Sequence, residues 1–298
     1  MRRTAFIAIV GRPNVGKSTL LNHILGEKVA IVSKRPQTTR NRITGVHTVG
    51  DDQYVFLDTP GVHHPRTKLG DYMVKAATGT LGGADAAILV VEPREAVGDI
   101  EGEILNNIRA AGLPAILVVN KTDAVTAANV AKTIAAYAET FPFDAVVPTA
   151  AKSGKGVDTV VSECERYLTE SEWFFPDDIV TDQTERQIAA EIVREKLLRV
   201  LSDEVPHGTA VSIEEFRDAG KMVRIRAEIY CERASHKGII IGKNGATLKH
   251  IGMMAREDLE KFYGTKVFLD LWVKVKENWR DSQFNLNDLV RNSRLASH

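Results

Sequence analysis

Phe6-Ile-Ala-Ile-Val10 runs without interruption into Gly11-Arg12-Pro13-Asn14-Val15-Gly16-Lys17-Ser18-Thr19. The apolar run is short, β-branched and continuous, the pattern of a strand buried on both faces. Residues 11 to 18 fit G-x-x-x-x-G-K-[ST] without a mismatch, and Leu20-Leu21-Asn22-His23-Ile24-Leu25 continues with helical periodicity. In that order the glycines let successive backbone N–H groups wrap around phosphate oxygens. The adjoining helix adds the positive end of its dipole. Lys17 can bridge β- and γ-phosphates, and the Ser18 hydroxyl can ligate Mg²⁺. A chance glycine turn would rarely bring both the strand and the helix. The stretch reads as a nucleotide-binding loop.

Composition allows this and narrows it. At 298 residues the chain is long enough for two domains. Thirty-nine basic residues balance thirty-nine acidic ones, so any nucleic-acid surface must be local. Cys164 and Cys231 lie far apart and read as buried small hydrophobes in a reducing cytosol. Runs such as Ala86-Ala-Ile-Leu-Val-Val91 stop well short of the roughly eighteen apolar residues of a spanning helix. Met1-Arg2-Arg3 looks like the basic start of a signal, but the apolar stretch after it is consumed by the phosphate-loop strand. The expectation is a soluble, cytoplasmic protein.

Beyond the loop, Gln37-Thr38-Thr39-Arg40-Asn41 lies in a polar, aperiodic segment and reads as a switch-type loop. Ile43 to Val49 alternates loosely as a strand, and Tyr54-Val-Phe-Leu57 delivers Asp58 at a strand end, followed by Thr59-Pro60-Gly61. After a phosphate loop, an acid there is placed to hold a metal through a water, and the Gly61 N–H can approach a γ-phosphate. Strand and helix then repeat through Asp85–Glu92, Ile100–Ala111 and Pro114–Val119, ending in Asn120-Lys121-Thr122-Asp123. A carboxylate at Asp123 can accept two hydrogen bonds from the N1–H and N2–H₂ edge of guanine, which adenine does not offer. The stem of Lys121 can lie over the base, and Asn120 can tie neighbouring loops together. Asp144 to Pro148 makes a sixth strand, ending at Thr149-Ala150-Ala151-Lys152, with a helix from about Val157 to Leu168.

The order of these five loops resembles the GTPase domain of the translation-factor-like class. The variants Gly-Arg-Pro-Asn-Val-Gly-Lys-Ser and Gln-Thr-Thr-Arg resemble the Era family in particular. That resemblance implies that residues 11–19, 58–62 and 120–123, with Ala150 and Ala151, bind the nucleotide. It implies Ser18, Thr39 and Asp58 around Mg²⁺, with Lys17, Thr39 and Gly61 in catalysis. Ala150 stands where the family usually has serine, in a loop that reads guanine mainly by a backbone N–H. Val62 occupies the position where GTPases with a catalytic glutamine carry it. Asn14 could instead offer a carbonyl oxygen, and Thr38 a backbone carbonyl, to a K⁺ beside the phosphates, as in potassium-activated GTPases that share this asparagine.

Residues 169 to 183 read as a junction, with 1–170 as the first domain and 171–183 as the linker. Trp173-Phe-Phe-Pro-Asp-Asp178 should dock on one domain or both, because an exposed aromatic cluster is costly. Residues 184–298 form a second, smaller α+β domain. Gln187 to Leu201 is an amphipathic helix, Val211 and Ile213 mark a strand, and Val223, Ile225, Ala227 and Ile229 mark another with Arg224, Arg226 and Glu228 facing out. Residues 267–275 make a last strand. Between them Gly242-Lys243-Asn244-Gly245 joins a short apolar helix to a longer one carrying Leu248, Ile251, Ala255, Leu259 and Phe262. Two glycines admit nucleic-acid backbone and Lys243 can neutralise phosphate. From Ser235 to Arg280 there are nine Lys/Arg against five Asp/Glu.

This second domain resembles the type II KH fold, which marks Ile241, Gly242, Lys243, Asn244, Gly245 and Lys249 for RNA contact. Together the two domains resemble the Era family across nearly the whole chain. The resemblance implies an α/β P-loop GTPase domain, a mostly parallel sheet with helices on both faces, followed by the KH domain. It further implies a monomeric, GTP-driven factor that binds 16S-type ribosomal RNA near its 3′ end and assists 30S subunit assembly. Peripheral association with the inner membrane face is implied too, although no amphipathic anchor is visible. An RNA-binding module with a structural, non-hydrolysed guanine nucleotide is the alternative.

Overall fold

The computed structural model describes residues 1–33, 35, 38–63, 65, 67–286 and 289–290. Gln37 and the chain end 291–298 lie outside the described residues. The chain forms two compact units, the first Met1–Arg66 with Gly70–Asp182 and the second Thr67–Leu69 with Gln183–His298.

In the first unit, β1 (Arg3–Val10), β2 (Ile43–Val49), β3 (Asp52–Asp58), β4 (Ala86–Val91), β5 (Ala115–Val119), β6 (Ala145–Pro148) and β7 (Thr169–Glu170) build one sheet. Its order is β2-β3-β1-β4-β5-β6, with β7 pairing antiparallel to β1. β2 is antiparallel to β3, and the remaining neighbours along that order are parallel. Every residue of β4 and β5 is buried, the expected fate of strands covered on both faces. Alternation along the strands divides the core in two. Ile7, Ile9, Ile88, Val90, Ile116 and Val118 pack with Leu20 and Leu21 of α1 (Lys17–Leu25) and Val157 and Val160 of α5 (Val157–Cys164). Ala8, Val10, Ala87, Leu89, Leu117 and Val119 pack instead with Ala77 and Leu81 of α2 (Lys68–Leu81), Ile104, Leu105 and Ile108 of α3 (Asp99–Ala110), and Tyr137 of α4 (Ala127–Ala138). Because β1 lies between β3 and β4, the connections leave to opposite sides of its carboxyl end. That opening is where ligands sit in such sheets.

One boundary differs from the sequence expectation. The helix from Val157 stops at Cys164 and tightens into a 3₁₀ turn, Glu165–Tyr167. The aromatic stretch expected to dock does so on the first unit. Thr169 and Glu170 add to β1, and the Gln53 side chain then holds the aromatic stretch, accepting from the N–H of Phe174 (3.0 Å) and Phe175 (3.1 Å) and donating to the Phe175 carbonyl (2.9 Å). Phe174 meets Phe6 edge to face at 4.8 Å, and Arg2 lies 4.3 Å over the Trp173 ring.

The second unit contains α6 (Glu185–Val200), β8 (Ala210–Asp218), β9 (Met222–Cys231), α7 (Ala234–Ile241), α8 (Ala246–Tyr263), β10 (Lys266–Val275) and a short α9 (Gln283–Leu286). The sheet order is β10-β9-β8, with β10 parallel and β8 antiparallel to β9. Thr184 starts α6 with a capping box closed by Gln187. Ile251, Ala255 and Leu259 of α8 are fully buried against α6 and the sheet. Phe262, expected on that same stripe, is 38% exposed: it lies in the last turn of α8, where it meets the Tyr263 ring edge to face at 5.0 Å. Glu228, expected to face solvent, is 5% exposed because Lys274 pairs with its carboxylate at 2.5 Å and the Tyr230 hydroxyl donates to it at 2.6 Å.

Candidate functional site

The loops after β1, β3, β5 and β6 converge at the carboxyl edge of the first sheet. Between them lies a cavity of about 510 Å³ lined, among others, by Pro13, Asn14, Gly16, Lys17, Ser18, Thr19, Thr38, Thr39, Gly61, Asn120, Lys121, Asp123 and Ala151. Gly11, Arg12, Val15, Asp58, Thr59, Pro60, Val62, Thr122 and Ala150, also expected at the site, are not part of this lining. Lys152, at the end of the Thr149–Lys152 stretch, lines the cavity too, as do Ile31, Val32, Ser33 and Ala124, which carry no motif that singles them out in the sequence.

The glycines are demanded by contact as well as conformation. Gly16 has φ +105, and a Cβ there would fall 2.1 Å from the Asn120 amide nitrogen. A Cβ on Gly61 would fall 2.5 Å from the Pro13 nitrogen, so the Asp58–Gly61 loop touches the phosphate loop backbone to backbone. Asn14 also lies in the left-handed region, at φ 66. Lys17 Nζ donates to the carbonyls of Gly11 (3.1 Å) and Arg12 (2.9 Å). Burial lowers the Lys17 ammonium to about 8, against the pull of the Asp58 charge. Burial raises Asp58 to about 6, opposed by Lys17, the Ser18 hydroxyl and the Thr59 N–H.

Three oxygens meet beside that lysine. Ser18 Oγ donates to Asp58 Oδ2 at 2.6 Å and lies 2.9 Å from Thr39 Oγ1. The other oxygen, Asp58 Oδ1, is buried and has no hydrogen-bond partner among the described residues. An orphaned carboxylate oxygen beside two hydroxyls is a hard donor set, and it fits Mg²⁺. Thr59 turns away, its hydroxyl donating to the Ile9 carbonyl at 2.9 Å. Val62 is buried in the core with Ala8 and Val10 and presents nothing polar to the cavity. Of the switch-type loop, Thr38 Oγ1 donates to the Arg35 carbonyl at 2.7 Å, Arg40 is buried, and Asn41 accepts from the Tyr72 hydroxyl at 2.7 Å.

At the far end Asn120 joins three loops. Its Nδ2 donates to the Val15 carbonyl at 2.8 Å, and its Oδ1 accepts from the Ala151 N–H (2.9 Å) and the Thr149 hydroxyl (3.1 Å). Thr122 secures the same corner through its hydroxyl to the Thr149 carbonyl, 3.0 Å. Ala150 donates its N–H to Lys155 O at 3.0 Å, whereas the Ala151 N–H goes to Asn120. Sequence reasoning misses two acids that brace the site. Glu92, just past β4, pairs with Lys121, and the buried Glu101 on α3 pairs with Arg12. Each lies far along the chain from its partner and belongs to no recognisable spacing.

In the second unit Gly242 has φ +74 and Gly245 φ +77, with Asn244 also left-handed at φ 52. The turn leaves Lys243, Asn244 and Lys249 exposed, with Ile241 half-buried at the end of α7. Gly245 caps the eighteen-residue α8, so the positive end of that helix opens at the turn. A Cβ on Gly242 would meet Thr247 Oγ1 at 2.2 Å, while one on Gly245 would meet nothing within 4 Å.

Residues 6–121 match the family model described as 50S ribosome-binding GTPase, and residues 204–280 match that of the KH domain. The chain is 48% identical over 289 residues to GTPase Era of Clostridium acetobutylicum, covering 97% of this chain and 98% of that protein. It is 48% identical over 297 residues to GTPase Era of Clostridioides difficile, covering 99% and 100%. Two solved structures superpose with a TM-score of 0.93 at 40% identity, each over 97% of this chain and 99% of the other. One is a variant of Aquifex aeolicus Era bound to GDP and AlF4⁻, and the other is Era in complex with MgGDPNP and nucleotides 1506–1542 of 16S ribosomal RNA.

Proposed function

The chain belongs to the Era family of GTPases, and from that premise we propose that it is a GTP-driven switch that binds the 3′ region of 16S-type ribosomal RNA and assists small-subunit assembly. The observation that carries the nucleotide half is the Asn120 clamp, which holds a phosphate-cradling loop and a guanine-reading carboxylate at opposite ends of one cavity. Asp123 accepts from the guanine edge, and the stem of Lys121 covers the base. Backbone N–H groups from Gly11 to Thr19 cradle the phosphates, with Lys17 across β and γ and the Gly61 N–H on γ. Ser18, Thr39 and Asp58 would hold Mg²⁺, Asp58 through a water, and the ion when bound neutralises phosphate charge. Asn14 and Thr38 both line the cavity, and a K⁺ held by the Asn14 side chain and the Thr38 carbonyl would add positive charge beside the phosphates. Membership in a family of GTPases sets aside the structural-nucleotide alternative.

The RNA half rests on the Gly242–Gly245 turn, two left-handed glycines at the start of a long helix with Lys243 and Lys249 exposed beside them. The domain limits 1–170 and 184–298, with the stretch between as linker, belong to this same reading, as do a monomeric state and peripheral membrane association. Among the described residues no helix is long and apolar enough to cross a membrane. Removing the protein from cells should let unprocessed small-subunit RNA accumulate, and restoring it should clear that RNA. Normal 30S maturation without the protein overturns the assembly role, and failure to float with anionic vesicles overturns the membrane one.

A further inference from the structure

The sheet of the second unit has one covered face and one open face. Val223, Ile225, Ala227 and Ile229 of β9, with Val267 and Val273 of β10, are buried in the core beneath the helices. The alternate residues therefore stand on the opposite side. There Phe268 is 54% and Trp272 55% exposed. The parallel register sets Phe268 beside Arg224, Asp270 beside Arg226 and Trp272 beside Glu228. The Arg224 guanidinium lies 5.6 Å over the Phe268 ring.

The charges on this face are unequally committed. Glu228 is held by Lys274 and Tyr230, and Glu215 pairs with Arg217 at 2.9 Å. Asp270 accepts from the Trp272 indole N–H at 2.8 Å, and Glu214 from the Ser212 hydroxyl at 2.9 Å. Arg224 and Arg226, by contrast, have no carboxylate within ion-pair distance among the described residues; Arg226 acts on Glu228 only at longer range. Two exposed flat rings with two guanidinia beside them that no carboxylate neutralises match a polyanion that carries flat bases. A bilayer would instead select a contiguous apolar surface, and here Asp270 and the arginines interrupt it. β10 is also an edge strand that contacts both α7 and α8, so this edge separates the open face from the helices that carry the Gly242–Gly245 turn.

We propose that this open face is a second RNA platform, on which bases of a single strand stack on Phe268 and Trp272 while Arg224 and Arg226 neutralise its phosphates. The proposal rests on the RNA-binding reading of the second unit and extends the bound strand beyond the turn. A KH turn holds about four nucleotides, so the full chain is titrated with a tetranucleotide and with a strand roughly three times that length, both from the 3′ end of 16S RNA. The Phe268→Ala/Trp272→Ala variant should lose about tenfold or more for the long strand, the worth of one or two stacked bases, and keep its tetranucleotide affinity, GTPase rate and melting temperature. Arg224→Gln/Arg226→Gln should lower the salt slope of long-strand binding by about 1.4, two single-strand phosphate contacts. Photocrosslinks from the long strand should map to Trp272. Unchanged long-strand affinity in the aromatic variant overturns the platform, as does a loss confined to binding of phosphatidylglycerol vesicles or to self-association. If Gly245→Asp leaves tetranucleotide binding intact, the turn reading fails, whereas a long-strand loss in the aromatic variant still supports the platform.

Discussion

Lys121 Nζ donates to the backbone carbonyl of Asn14 at 2.7 Å, joining the guanine-side loop to the phosphate loop across 107 positions of sequence. The same ammonium pairs with Glu92 at the end of β4, and Lys121 itself sits at φ 62. Glu92 thus fixes a side chain whose stem is assigned to the base. Glu92→Ala should speed GDP release roughly tenfold, within the range for hydrogen bonds to charged groups, and leave the melting temperature of the nucleotide-free protein within about 1 °C. In the Lys121→Ala background the same change should have no further effect. Additive losses in that double-mutant cycle would show that Glu92 acts elsewhere.

Asp123 gives the base preference its sharpest test. Asp123→Asn reverses the hydrogen-bond polarity at the cavity wall, so guanine binding should fall by about a hundredfold or more and xanthine binding should rise. Competition of labelled GDP by ATP as readily as by GTP in the unaltered protein would remove the assignment.

Substitution of the two turn glycines should separate RNA binding from nucleotide binding. Gly242→Asp forces a Cβ into Thr247 and distorts the turn, but the space around Gly245 is open. Gly245→Asp therefore adds charge and about 1–2 kcal/mol of left-handed strain without displacing a neighbour. It should abolish tetranucleotide binding and leave GDP affinity unchanged. Retained RNA binding in a folded Gly245→Asp protein would refute the contact assigned to this turn.

Because Val62 is buried and apolar, no side chain at that position orients water. Hydrolysis should be faster in K⁺ than in Na⁺ at equal ionic strength, and loss of the Asn14 side chain should erase the difference. The left-handed backbone at Asn14 makes Asn14→Gly the cleaner variant, with Asn14→Ala as comparison. GDP affinity should stay nearly intact in both. Identical rates in the two salts, with and without RNA, would rule out the cation.

Burial pushes the Cys164 thiol up to about 12. At pH 8 to 9 iodoacetamide should label this cysteine in the unfolded protein and spare it in the folded one. The raised value favours the neutral thiol in the fold, so the unfolded chain ionises first, above its ordinary 9.0, and stability should decline as the pH rises past that point towards 12. Native labelling as fast as that of a free thiol would contradict the packing described.

Features whose physics is local could be read directly from the order of residues. The phosphate loop, Asn120–Asp123 and the Gly242–Gly245 turn each depend on a few consecutive residues whose backbone must bend in one way, so a short string suffices to mark them. Buried strands such as β4 and β5 were equally legible, since a run of apolar residues is the direct signature of cover on both faces. The pairings between distant elements emerged only once the chain was folded. Glu92 meets Lys121, and Glu101 meets Arg12, because the order β3-β1-β4-β5 and the helices on it bring those positions together. Thr169–Glu170 became a strand only because β4 pairs with Ile7–Val10 and leaves that side of Arg3 and Thr4 open, and Glu228 was buried by Lys274 and Tyr230 although its own strand alternates as a solvent-facing position. A side chain's neighbours across a sheet are set by register and topology, and no local pattern encodes them.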